Sequence, residues 1–144
     1  MCTDIFIGVS QRDCDLTTVD SDSGLWIHAV PTANVRVREL MELETIFEVG
    51  SFMGCTCGLS YSDSTLDDPI ENHDKRVSNV EHLRQIFEKH FDSIVRIMTL
   101  EKYDLNNLAL FPHNKLDLEF MRPGVTEFSF DADEVYELMS DKTQ

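Results

Sequence analysis

The segment Ser78–Phe91 constrains this chain more than any other. Val80, Leu83, Ile86, Phe87 and Phe91 recur close to a 3.6-residue period, which makes one apolar stripe along an α-helix. Ser78-Asn79-Val80-Glu81 in front of the stripe fits a capping box, with Ser78 as N-cap and Glu81 reaching back. A helix with one apolar stripe must bury it against something, and the remaining apolar segments are short and alternating. Asp4–Val9 places Ile5, Ile7 and Val9 on one face, with Cys2, Asp4 and Phe6 expected on the other. Leu25–Val30, stopped by Pro31, and Ile94–Leu100 also read as strands. So do Thr45–Ser51 and Cys55–Tyr61, and shorter pieces at 109–111, 116–120 and 127–130. Val35–Phe47 begins with strand-like alternation and continues with helical spacing at Leu40, Leu43 and Phe47. Asp131 followed by Glu134 suggests a second cap, opening a short C-terminal helix through Met139. The expectation is an α+β fold over residues 1–144 as a single domain. One mixed or mostly antiparallel sheet would carry the main amphipathic helix, about 78–92, on one face.

The chain has 144 residues, enough for a self-sufficient core without metal or disulfide. Its 27 acidic and 12 basic side chains give a net charge of −15. That charge argues against nucleic acid, whose phosphates need Lys and Arg, and against anionic membrane surfaces. It permits an acidic interaction or inhibitor module, either a nucleic-acid mimic or a partner for a basic protein. No basic region followed by an apolar core opens the chain and no apolar run approaches 20 residues, so a cytoplasmic location is expected. Four cysteines are then expected as thiols.

Chemistry concentrates at Gly54-Cys55-Thr56-Cys57-Gly58. If this is a strand, residues 55, 57, 59 and 61 share a face reading Cys, Cys, Leu, Tyr, and three readings stay open. The pair can be buried core, because cysteine is among the most buried residue types. It can hold a soft metal ion such as zinc, with Cys2 as third ligand and Cys14 or a histidine as fourth. It can be a redox or nucleophilic thiol, which needs a cation nearby. Gly54 and Gly58 could also shape a backbone nest for an anion. A Cys55–Cys57 disulfide is disfavoured by strand geometry, which holds alternate Cα atoms about 6.5–7 Å apart. An N-terminal nucleophile at Cys2 would require removal of Met1. The five histidines form no His-Glu-x-x-His motif and no pair at i, i+4, and Asp13, Asp15, Asp20 and Asp22 read as a solvated loop. No recognised catalytic motif argues for an enzyme.

The Met1-Cys2 start, Gly50-Ser51 and the block Gly54-Cys55-Thr56-Cys57-Gly58-Leu59 resemble a group of small uncharacterised bacterial proteins. In that group a Met-Cys start is followed by Gly-Ser-x-x-Gly-Cys-Gly-Cys-Gly-Phe; here Thr56 and Leu59 depart from the pattern. The resemblance implies only that Cys2 and the Cys55–Cys57 block belong to one unit.

Overall fold

The computed structural model describes residues 3–31, 34–62, 65, 70–101 and 111–139. The chain is α+β. The strands β1 (Asp4–Val9), β2 (Thr18–Val19), β3 (Trp26–Ala29), β4 (Thr45–Gly50), β5 (Ile94–Leu100), β6 (His113–Asp117) and β7 (Val135–Met139) form one sheet. Its order is β2-β3-β4-β1-β5-β7-β6. All neighbours are antiparallel except β6 and β7, which run parallel, so the sheet is mixed. The helices are α1 (Val35–Met41) and α2 (Ile70–Lys89). None of the described helices is long and apolar enough to cross a membrane.

The sheet is covered on both faces, which is why β1 is almost wholly buried. Ile5, Ile7 and Val9 join Ile27, Phe47, Val49 and Ile97 in a core under Val80, Leu83 and Phe87 of α2. Phe6 points the other way, to Val37, Leu40 and Met41 of α1. Gly8 shares that second face, where an added Cβ would lie 2.3 Å from Leu43 Cδ1. The alternation expected for β1 is the one found.

Four expectations are corrected. The main helix is not confined to 78–92 but runs from Ile70 to Lys89. Ser78 therefore lies inside it, and Glu81 receives the guanidinium of Arg84 instead of capping a helix start. Val35–Met41 is helical from its first residue, because Asn34 caps it and Val37, Leu40 and Met41 fall on one buried face. Cys55–Tyr61 is not a strand: Thr56–Leu59 form a 3-10 turn, and only Tyr61 bridges, to Phe128. The expected C-terminal helix is the strand β7, where Val135 and Tyr136 are buried and pair with both β5 and β6. Two neighbouring strands satisfy its backbone, which outweighs a local cap signal. The expected strand at 109–111 lies largely outside the described residues.

The core predicts its own mutational response. Phe87 is fully buried beneath the sheet, so Phe87→Ala is expected to cost about 3–5 kcal/mol. Val19 is 77% exposed on an edge strand, and Val19→Ala should stay within about 0.5 kcal/mol. Urea unfolding of both variants checks the contrast.

Candidate functional site

Ser51, at the end of β4, organises the cysteine loop and is itself 1% exposed. Its hydroxyl donates to the Cys55 carbonyl at 2.6 Å and accepts from the amides of Met53 at 3.2 Å and Gly58 at 3.1 Å. Its own amide donates to the same Cys55 carbonyl at 2.8 Å, and its carbonyl accepts from Gly54 at 2.9 Å. The chain thus doubles back on one buried side chain. The glycines have separate reasons. Gly54 has φ +79°, which L side chains rarely adopt. At Gly58 an added Cβ would sit 2.3 Å from Ser51 Oγ, so hydrogen there is what lets the loop close.

Cys55 precedes the 3-10 turn with extended backbone, and Cys57 lies within it. The pair is therefore not on one strand face, and the parallel projection expected from alternation does not occur. Both are half-buried. Cys57 is disulfide-bonded, whereas Cys55 and Cys14 carry thiols. No bond joins Cys55 to Cys57, although the strand geometry from which that expectation was argued does not occur. Cys2, the third expected ligand, lies outside the described residues. Cys14 is brought to His90, with Sγ 3.8 Å from Nδ1. His90 is 14 residues along the chain from Arg76, which puts about 21 Å of helical rise between Cys14 and the loop. Among the described residues, no group of three or more His, Cys, Asp or Glu is arranged to hold a metal ion.

The cation that sequence reasoning did not locate is Arg76 on α2. Its Nη1 donates to the carbonyls of Cys57 at 2.8 Å and Ser60 at 3.1 Å. Ser60 Oγ also donates to the Cys57 carbonyl at 3.1 Å. Thr56 Oγ1 donates to the Thr3 carbonyl, tying the turn to the residue before β1. A cavity of about 270 Å³ opens here, lined by Thr3, Thr56, Cys57, Ser60, Arg76 and Phe130 among others. Arg76 was missed because 70–77 lacks apolar periodicity, so nothing in the sequence assigned it to a helix facing the loop.

A second cluster holds the loop from behind. Asn79 is fully buried on α2; its Oδ1 accepts from Phe52 N at 2.9 Å and its Nδ2 donates to the Ser23 carbonyl. Asp20 Oδ2 accepts from Ser23 Oγ at 2.6 Å and from His82 Nδ1 at 2.7 Å, while Oδ1 accepts from Asp22 N at 3.1 Å. The hydrogen bond from Ser23, followed by that from Asp22 N, lowers the Asp20 carboxyl to about 2. An ionised carboxylate only accepts, so His82 carries its proton on Nδ1. These are the residue types of a serine hydrolase in the wrong order. Ser23 sits with Asp20 on the Nδ1 side, so it is not placed to lose a proton to Nε2. The Asp-rich loop is therefore an anchor rather than only a solvated run.

The fold and the loop together define a mixed-sheet α+β domain carrying a serine-pinned, glycine-flanked cysteine turn. Comparison of the chain with protein-family models, curated proteins and solved structures returned no match.

The depressed Asp20 carboxyl fixes the sign of a pH effect. Its stabilisation is present above the unfolded carboxylate value near 3.9 and is lost as pH falls through about 2. Asp20→Asn should therefore be less stable than wild type at pH 7, with the gap closing between about pH 4 and 2. Urea midpoints measured across that range check it, and a gap independent of pH would contradict it.

Proposed function

We propose that this chain is a small thiol-site domain that works by thiol–disulfide exchange at Cys57, with Cys55 as the neighbouring thiol. The observation that carries this reading is the asymmetry of the pair: Cys57 is oxidised and Cys55 is not, two residues apart on one pinned turn. Cys2 is the remaining cysteine of the four and is the partner this reading assigns to Cys57. In the cytoplasmic setting proposed from the sequence, a disulfide is more characteristic of redox sensing or catalysis than of structural stapling. Arg76 adds positive charge beside the turn, which favours thiolate character when the bond opens. On reduction, the two sulfurs of the Cys57 disulfide become thiols and join Cys55, which with Cys2 as the assigned partner makes three, the number a soft ion such as zinc needs to begin a site once they are deprotonated.

Thiol counting in denaturant, paired with metal analysis of protein purified without chelator, tests the proposal. Two titratable thiols before reduction and four after it are expected, without stoichiometric zinc in the oxidised protein. Four thiols before reduction would contradict the exchange reading, and stoichiometric zinc with them would assign the cysteines to metal binding.

A further inference from the structure

We infer that the open edge of β6 and the cavity beside it form a docking groove for an extended basic peptide. The peptide adds to the sheet as a further strand and places a lysine or arginine side chain beside Phe120, Asp117 and Glu127. The groove does not involve the chemistry proposed at Cys57.

β6 is the last strand in the sheet order, so one of its backbone edges has no neighbouring strand among the described residues. The ladder to β7 fixes which groups lie on that edge. Val135 N donates to the Pro112 carbonyl at 2.9 Å, and the parallel pairing stays in register to Asp117. Backbone direction alternates along a strand, so Asn114 and Leu116 bond β7 while the amides and carbonyls of His113, Lys115 and Asp117 face outward. The five residues of β6 give about 16 Å of such edge. Lys115, Leu116 and Asp117 also line a cavity of about 580 Å³. Consecutive side chains of a strand point to opposite faces, so a cavity shared by all three runs along the strand's edge. Tyr61 and Phe128, which bridge each other, line it as well.

The lining selects the occupant. Phe120 also lines the cavity and is 62% exposed. Its ring offers a surface to a long aliphatic stem with a cationic end. Lys115 is held by Glu137 at 2.5 Å, so its charge is met. Asp117 accepts from Glu119 N with Oδ1 at 3.0 Å, and its other oxygen has no partner among the described residues. Glu127 is exposed and makes no hydrogen bond or ion pair among the described residues. The cavity therefore presents an aromatic ring and two unmatched carboxylates, the complement of a basic side chain. A net charge of −15 attracts a basic segment and repels a second copy of this chain. Lys115 on the edge also opposes self-pairing. In such strand addition the backbone supplies affinity and the side-chain pocket supplies specificity.

Two fluorescein-labelled peptides probe the groove: Thr-Thr-Lys-Val-Arg-Thr-Thr, and the analogue with Glu in place of Lys and Arg. Fluorescence anisotropy measures their binding, and NMR amide exchange of the ¹⁵N-labelled protein locates it. The basic peptide should bind, more weakly as salt rises, and the acidic one should not. The amides of His113, Lys115 and Asp117 should gain protection when the basic peptide is added. Those of Asn114 and Leu116, already bonded to β7, should change little. Lys115→Pro removes one outward amide, and an edge strand accommodates proline there. It should bind the basic peptide about fivefold more weakly than Lys115→Thr, the effect of one backbone hydrogen bond. Glu127→Gln should weaken binding about threefold.

Should Lys115→Pro not fold, amide protection in the wild type decides. Attraction by overall charge alone would bind the basic peptide without protecting the three outward amides, and that result would overturn the inference. So would equal binding to Lys115→Pro and Lys115→Thr, equal binding of the two peptides, or no saturable binding up to about 1 mM. Protection of the same amides on raising the protein concentration without peptide would assign the edge to a second copy, and would overturn it as well.

Discussion

The cysteine turn depends on one buried hydroxyl. Ser51 Oγ serves three backbone groups, and the Ser51 main chain bonds one of these again, the Cys55 carbonyl, and adds the Gly54 amide. Remove the hydroxyl, and the amides of Met53 and Gly58 lose their acceptor, which for Gly58 is inside the protein, away from water. Gly58 is the counterpart of that arrangement, because the space its side chain would need is taken by Ser51. The positions of Cys55 and Cys57 follow from this pair of constraints. They are fixed by loop closure around Ser51, not by pleat geometry.

Helix α2 connects that turn to the rest of the molecule. Along it, Arg76 reaches the carbonyls of the turn, Asn79 bonds Phe52 and Ser23, and His82 bonds Asp20. Successive steps of three residues keep these side chains along one side of the helix, next to the stripe of Val80, Leu83 and Phe87 that packs on the sheet. The apolar stripe sets the height and orientation of the helix, and the polar side chains use that placement to hold two loops. A change in the turn therefore has a direct route to the 20–24 loop through the single side chain of Asn79.

Much of the fold was legible in the sequence. Alternation identified β1, Ile94–Leu100 was read as the strand that is β5, and the stripe at Val80, Leu83 and Phe87 identified the helix that covers them. The failures have physical causes. Ile70–Val77 extends the helix with mostly polar side chains, so its period carried no apolar signal. Val135–Met139 follows a local cap pattern yet becomes a strand, because its partners β5 and β6 are far away in sequence. At the candidate site, the glycine-flanked cysteines were visible, but their geometry was misread as a strand face. Alternation cannot register a hydroxyl that folds the chain back on itself. Arg76 and Asn79 were invisible for the same reason that most long-range polar contacts are: their partners are backbone groups, and backbone leaves no mark in a sequence.

The central claim is that Cys57 is oxidised while Cys55 keeps its thiol. Acid quenching of intact cells, alkylation without reductant and peptide mass spectrometry measure it directly. The account predicts alkylated Cys55 and a Cys57 peptide that is unlabelled until reduction and linked to the peptide containing Cys2. Full alkylation of Cys57 before reduction would contradict it.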